Sequence, residues 1–186
     1  MGKNAEARKH LEEKARVETR WVFEGKYLKV REDIIHIPQE SPKIWNIAVT
    51  PKAVAVIPID SQGRLILVEQ WRRAIGKISL ELPAGMLDHP DESPLDCAQR
   101  ELQEETGFKA GSLIPFGGCY TSPGTSAEYI HLFLAQNLTE GRLHAEDTAG
   151  IDVQAVTPAQ ARRLIEHGKI SDAKTIVGMM RYLHHD

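Results

Sequence analysis

The sequence is poor in cysteine, poor in aromatic residues, and without a long apolar run or an excess of positive charge. Its two cysteines, Cys97 and Cys119, cannot build a disulfide framework and show no metal-ligand spacing. Both are expected as small buried side chains in a reducing compartment. No apolar stretch approaches the roughly 18 residues that a bilayer-crossing helix needs. The charged start MGKNAEARKHLEEKARVETR lacks the apolar centre of a secretion signal. Met1-Gly2 would suit N-myristoylation, but Glu6 stands where Ser or Thr is required. A formal net charge of -3 leaves no basic footprint for nucleic acid. Together these absences point to a cytoplasmic protein with neither a nucleic-acid nor a membrane partner.

What is present is an ordinary globular composition, 41% hydrophobic and 26% charged over 186 residues, enough for one domain with a modest elaboration. Residues 1–18 are polar and helix-prone, and read as an arm or a frayed helix. From 19 to 50 the chain turns to β-type runs (RWVFE, KYLKVRED, IWNIAVT), an antiparallel strand region that is also the expected dimer contact. The remainder, 51–186, forms the main domain. It opens with AVAVIPID and RLILVEQW, which read as a hairpin about Ser61-Gln62-Gly63, and continues with ISLEL. Ser93-Pro94 then signals a helix start and Gly107 its end, with Leu95, Ala98 and Leu102 as the apolar stripe. Strands follow near 113–120, 129–135 and 152–156, and closing helices start at Thr157-Pro158 and Ser171-Asp172. The fold class is α+β with a mixed sheet.

The acids are unevenly placed. Between Glu81 and Glu105 lie eight of the 26 acidic residues and a single cation, Arg100. Glu101, Glu104 and Glu105 fall three and four residues apart, which puts them on one helical face, expected to lie away from the Leu95/Ala98/Leu102 stripe. Like charges at this spacing repel, so a counter-ion would relieve them. Clustered hard oxygen ligands suit Mg²⁺ or Mn²⁺. Taken alone, the three glutamates read rather as a solvated acidic face.

Their flanks change that reading. Gly85, Glu92 and then Arg100-Glu101-Leu102-Gln103-Glu104-Glu105-Thr106-Gly107-Phe108 resemble the Nudix box: a Gly, a Glu, then Arg-Glu-apolar-x-Glu-Glu-x-Gly-apolar. The resemblance implies a Nudix-type α/β/α sandwich on which the box forms a loop–helix–loop. It further implies that Glu101 and Glu105 are the main metal ligands, with Glu104 and the Ala84 carbonyl as further ones, and that Glu92 pairs with Arg100. One departure is visible: six residues separate Gly85 from Glu92 where the family has five. Either the loop carries one extra residue, or Asp91 takes the part of Glu92; the distance from Glu92 to Arg100 favours the first.

Outside the box, Val68-Glu69-Gln70-Trp71-Arg72 followed by Glu81-Leu-Pro-Ala-Gly85 resembles the branch that cleaves ADP-ribose and related nucleoside-diphosphate sugars, and so does Pro123, about fifteen residues past the box. In that branch Arg72 would reach substrate phosphate, with Glu81 and Gly85 beside it. Tyr27 and Trp45 occupy places where relatives stack rings on adenine, one ring coming from the partner subunit of a homodimer. An acidic loop follows whose best match for a general base is Asp147, then Glu146, with Glu104 as the fallback. The reading is thus a metal-dependent hydrolase of a small nucleotide-sugar. Its alternatives are a Nudix hydrolase of another nucleoside diphosphate derivative, such as a dinucleoside polyphosphate or coenzyme A, and a non-catalytic sensor of ADP-ribose.

Overall fold

The run Ala53–Pro58 (β4) is apolar at nearly every position and buried at every one, as a strand covered on both faces must be. Around it the computed structural model, which describes residues 2–89, 91–144 and 150–185, arranges the main body of the chain. β4 pairs in parallel with β9 (Tyr129–Glu140) and antiparallel with β7 (Ala84–Met86). β9 in turn pairs antiparallel with β8 (Phe108–Tyr120), giving a mixed four-stranded sheet in the order β7-β4-β9-β8. A second, antiparallel sheet has the order β10-β5-β6, from Asp152–Val156, Leu65–Arg72 and Lys77–Glu81.

Helix α2 (Pro94–Thr106) covers one face of the mixed sheet, where Val54, Val56, Phe133 and Ala135 meet its Cys97, Ala98 and Leu102. The other face buries Ala55, Ile57, Leu132 and Leu134 against Leu65, Leu67, Leu80 and Leu82, with Ala161 and Met179 added by α3 (Pro158–Glu166) and α4 (Ala173–Leu183). The body is therefore the α+β sandwich with a mixed sheet that the sequence implied.

Residues 52–121 and 129–186 make up this body, and residues 1–51 with 122–128 form a second compact unit. That second unit holds α1 (Lys3–Glu13), which buries no residue, and an antiparallel sheet in the order β1-β2-β3 from Arg16–Glu24, Lys29–His36 and Lys43–Val49. Its β1 is exposed at every position although it carries Val17, Trp21, Val22 and Phe23. Among the described residues no helix is long and apolar enough to cross a membrane.

The structure corrects three expectations about packing. The hairpin about Ser61-Gln62-Gly63 is a tight turn with a single bridge, Ile59 to Leu65, after which β4 and β5 go to different sheets. Both strands have continuous apolar runs, and a two-stranded hairpin would have left one face of each in water. Leu95 is not core: it remains 45% exposed in the first turn of α2. Of the cysteines, Cys97 is buried and Cys119 only half-buried.

Candidate active site

Helix α2 begins because Ser93 caps it: the Ser93 Oγ accepts the Asp96 N–H at 3.1 Å, and Pro94 occupies the position where a missing N–H costs nothing. Asp96 in the first turn complements the positive helix end. The helix stops at Gly107, whose φ of 80° is left-handed and whose N–H closes on the Gln103 carbonyl.

Counting roughly 100° per residue around the axis, the buried arc runs from Cys97 through Glu101, Glu105, Ala98 and Leu102 to Thr106. A fourth expectation is corrected here. Glu101 and Glu105 lie within the buried face, 9% and 8% exposed, rather than on a solvated face opposite it. Glycine makes room for the first of them, since a Cβ at Gly85 would fall on the Glu101 carboxylate. The second is held by backbone, its Oε2 accepting the Ala84 N–H at 3.0 Å.

Burial sets the acidity of both. Desolvation raises the Glu101 carboxyl above the ordinary carboxylate range despite the Arg100 charge beside it. Glu105 is pushed up to about 7 by desolvation, with the Glu101 charge adding and the Ala84 hydrogen bond, Arg72 and Lys174 opposing. The helix offers no basic residue in its last turn to relieve them.

Arg100 ties the box together. Its Nε and Nη2 donate to the two Glu92 oxygens at 2.9 and 3.2 Å, and Nη1 donates to Glu101 at 2.7 Å and Glu104 at 3.1 Å. Nη2 also reaches the Met86 carbonyl at 3.0 Å, and Asp88 lies 3.6 Å from Nη1. The Glu92 carboxylate additionally accepts the Asp88 N–H at 2.8 Å, closing the loop before the helix. It is thus Glu92, with six residues between it and Gly85, that meets Arg100. As the side chains stand, no three His, Cys, Asp or Glu among the described residues converge on one point, and Arg100 bridges Glu101 and Glu104 instead. Every candidate ligand in the group is nonetheless an oxygen, and two of the carboxylates are buried and short of solvation, which suits a hard cation.

Arg72, at the end of β5, forms a fork with Glu81 at the end of β6: Nε to Oε1 at 2.9 Å and Nη2 to Oε2 at 2.7 Å. Glu81 is 2% exposed, and burial alone would raise its pKa. The Arg72 fork and the Lys174 ammonium overcome that and hold it at about 2. The structure therefore brings Arg72, Glu81, Ala84, Gly85, Glu92, Arg100, Glu101, Glu104 and Glu105 into one body.

Tyr27, Trp45 and Pro123 belong to the other unit. Tyr27 is 53% and Trp45 45% exposed. Pro123 lies in the turn where the Thr125 and Ser126 N–H groups return to the Ser122 carbonyl. Glu146 and Asp147 lie outside the described residues. Sequence reasoning missed β7, the Met86 carbonyl and the pair Asp172–Lys174. The last had a signal, because a lysine in the first turn of a helix opposes the helix dipole and so asks for another reason to be there.

Residues 49–176 match the NUDIX domain family model, and the chain belongs to that family. By class it is a Nudix pyrophosphohydrolase. It is 35% identical to the ADP-ribose pyrophosphatase of Bacillus subtilis over 90% of each chain. It is 33% identical to a methanol dehydrogenase activator of Bacillus methanolicus over 92% of each. A solved ADP compounds hydrolase superposes with a TM-score of 0.81 at 21% identity, covering 91% of this chain and 92% of that one, which supports the fold.

Proposed function

We propose that the chain hydrolyses the diphosphate bond of ADP-ribose or a related nucleoside-diphosphate sugar, giving a nucleoside monophosphate and a sugar phosphate. The observation that carries this reading is the pair of buried carboxylates, Glu101 and Glu105, held against the backbone at Ala84–Gly85. The name of the Bacillus subtilis relative, similar along nearly the whole chain, supports the substrate class.

Mg²⁺ or Mn²⁺ would be held by Glu101, Glu105 and Glu104 with the Ala84 carbonyl. Such a cation neutralises diphosphate charge, polarises phosphorus and acidifies water. The chain's own residues do the rest. Arg100, anchored by Glu92, keeps the Glu101 and Glu104 carboxylates in place. Arg72 presents the part of its guanidinium that Glu81 leaves free to a substrate phosphate, a charge-assisted contact. Tyr27 and Trp45 stack on the base, with the second ring supplied by the other subunit of a homodimer, and Pro123 shapes the neighbouring turn. The proton of the attacking water goes to Asp147, with Glu146 and then Glu104 as the other candidates.

The test is a substrate panel of ADP-ribose, ADP-glucose, GDP-mannose, a dinucleoside polyphosphate and coenzyme A, run with Mg²⁺ and again with Mn²⁺. AMP release from ADP-ribose, or a monophosphate from another sugar nucleotide, is expected. If none of the sugar nucleotides is cleaved with either metal, the reading fails. Among Asp147→Asn, Glu146→Gln and Glu104→Gln, the largest loss of kcat with metal affinity retained identifies the base.

A further inference from the structure

Glu81 is held from two sides. Arg72 takes both of its oxygens from β5, while the Lys174 ammonium of α4 bonds to Oε2. Lys174 is itself 8% exposed and also lies 3.0 Å from the Asp172 carboxylate. Asp172 caps α4 through the Thr175 N–H at 3.0 Å and accepts the Thr175 hydroxyl at 2.6 Å. The same hydroxyl accepts the Leu82 N–H at 2.8 Å, one residue after Glu81. A chain of polar contacts therefore runs from the start of α4 to the Arg72 guanidinium, and none of its members belongs to the box.

The cost of this arrangement is plain. A lysine at the second position of a helix opposes the helix dipole. Ion pairs withdrawn from water are in general no more stable than well-packed apolar residues of similar size. The Asp172 cap would work without Lys174, since its bonds to Thr175 do not involve the ammonium. What the ammonium adds is a third bond to a carboxylate already gripped by Arg72. With it, Oε2 is held from two sides, which restrains the plane of the carboxylate and with it the plane of the Arg72 fork. Nε and one Nη2 hydrogen are committed, leaving Nη1 and the second Nη2 hydrogen for a ligand. Arg72, Glu81, Asp172 and Lys174 line one open cavity of about 620 Å³, which Lys77 and Ser79 also wall.

We infer that Lys174 is a positioning residue: acting through Glu81, it fixes the orientation in which Arg72 meets the substrate diphosphate. The inference rests on the proposed role of Arg72 as a phosphate ligand. Lys174 touches neither the reacting atoms nor the box. Its loss should weaken diphosphate binding in ground and transition states alike, raising KM while sparing kcat.

The experiment is a double-mutant cycle between Lys174→Met and Arg72→Met. It is read by KM and kcat on the best substrate of the panel and, independently of turnover, by calorimetric affinity for ADP in Mg²⁺. Lys174→Met should raise KM and the Kd for ADP by about tenfold, with kcat within about threefold, the size of loss that a misplaced binding group produces. In the Arg72→Met background the same substitution should change neither. Lys174→Gln, which keeps a donor within reach of Glu81, should recover part of the affinity and serves in place of the methionine variant if that fails to fold.

A lysine with a merely structural role would lower thermal stability and act additively in both backgrounds; that outcome overturns the inference, as does an unchanged ADP affinity in Lys174→Met. Wild-type protein that binds no ADP, or an Arg72→Met variant that binds it normally, overturns it too. Wild-type protein that shows the coupling in ADP binding but cleaves no sugar nucleotide would sink the proposed function and leave this inference standing.

Discussion

Glu105 is a carboxylate where ionisation is costly, since burial and the neighbouring Glu101 both favour its proton. Without metal the native chain holds that proton up to about pH 7, whereas an unfolded glutamate loses it near the ordinary value of 4.5. Stability of the metal-free protein should therefore fall as pH rises from 4.5 through 7 and stay low above it. Glu105→Gln removes the titration and keeps an acceptor for the Ala84 N–H. It should be more stable than wild type at about pH 8, by about 1–3 kcal/mol, and close to it at about pH 4.5. Mg²⁺ should reverse the order, stabilising wild type and not the variant. Its turnover should drop by about three orders of magnitude or more, as loss of a principal charge-stabilising group does. Denaturant midpoints with and without Mg²⁺, beside steady-state rates, check all of this; a near-wild-type rate would remove Glu105 from the metal site.

At the scale of the element, the box works because one helix and one short strand are held in register. The Ser93 cap fixes where α2 starts and hence which side chains point at β7. Ser93→Ala should cost about 1 kcal/mol in unfolding free energy, with a smaller effect on rate because Arg100 still ties Glu92 to the helix. Gly85→Ala should do the opposite. Its methyl group would collide with the Glu101 carboxylate, and displacing a catalytic group by about 1 Å can cost on the order of a hundredfold in rate. Unfolding midpoints and kcat, measured side by side, separate the two; an active Gly85→Ala enzyme would contradict the packing described. The spacing of Glu101 and Glu105 was legible in the sequence, but their burial was not. Periodicity assigns charged residues to water by default, and only the absence of a side chain at Gly85 admits one of them to the interior.

For the whole molecule, the question is what covers the N-terminal sheet. β1 is an edge strand, exposed throughout, and Trp21, Val22, Phe23, Ile44 and Trp45 are each at least 45% exposed. Apolar surface on this scale, beside an unpaired strand edge, ordinarily marks an interface. A homodimer built on residues 19–50 is the expected form, and light scattering at micromolar protein should give twice the chain mass. The pair Trp21→Glu and Phe23→Glu should shift the equilibrium to monomer. A monomeric wild type would remove both the dimer and the shared stacking role given to Trp45.

The sequence by itself determined the class of chemistry, because Gly85, Glu92 and the run Arg100–Gly107 are read at fixed spacing within one loop and one helix. Local signals also placed the three capped helices, since a cap is a contact between near neighbours. Only the tertiary structure decided which sheet each strand joined, because β4 and β5 both begin with apolar runs and each takes a partner far along the chain, β9 for β4 and β10 for β5. It alone decided that Glu101 and Glu105 are buried, and that Lys174, some ninety residues from Glu81, closes on it. Burial and charge pairing of this kind depend on what other elements bring to the same place, and no local pattern of residues records that.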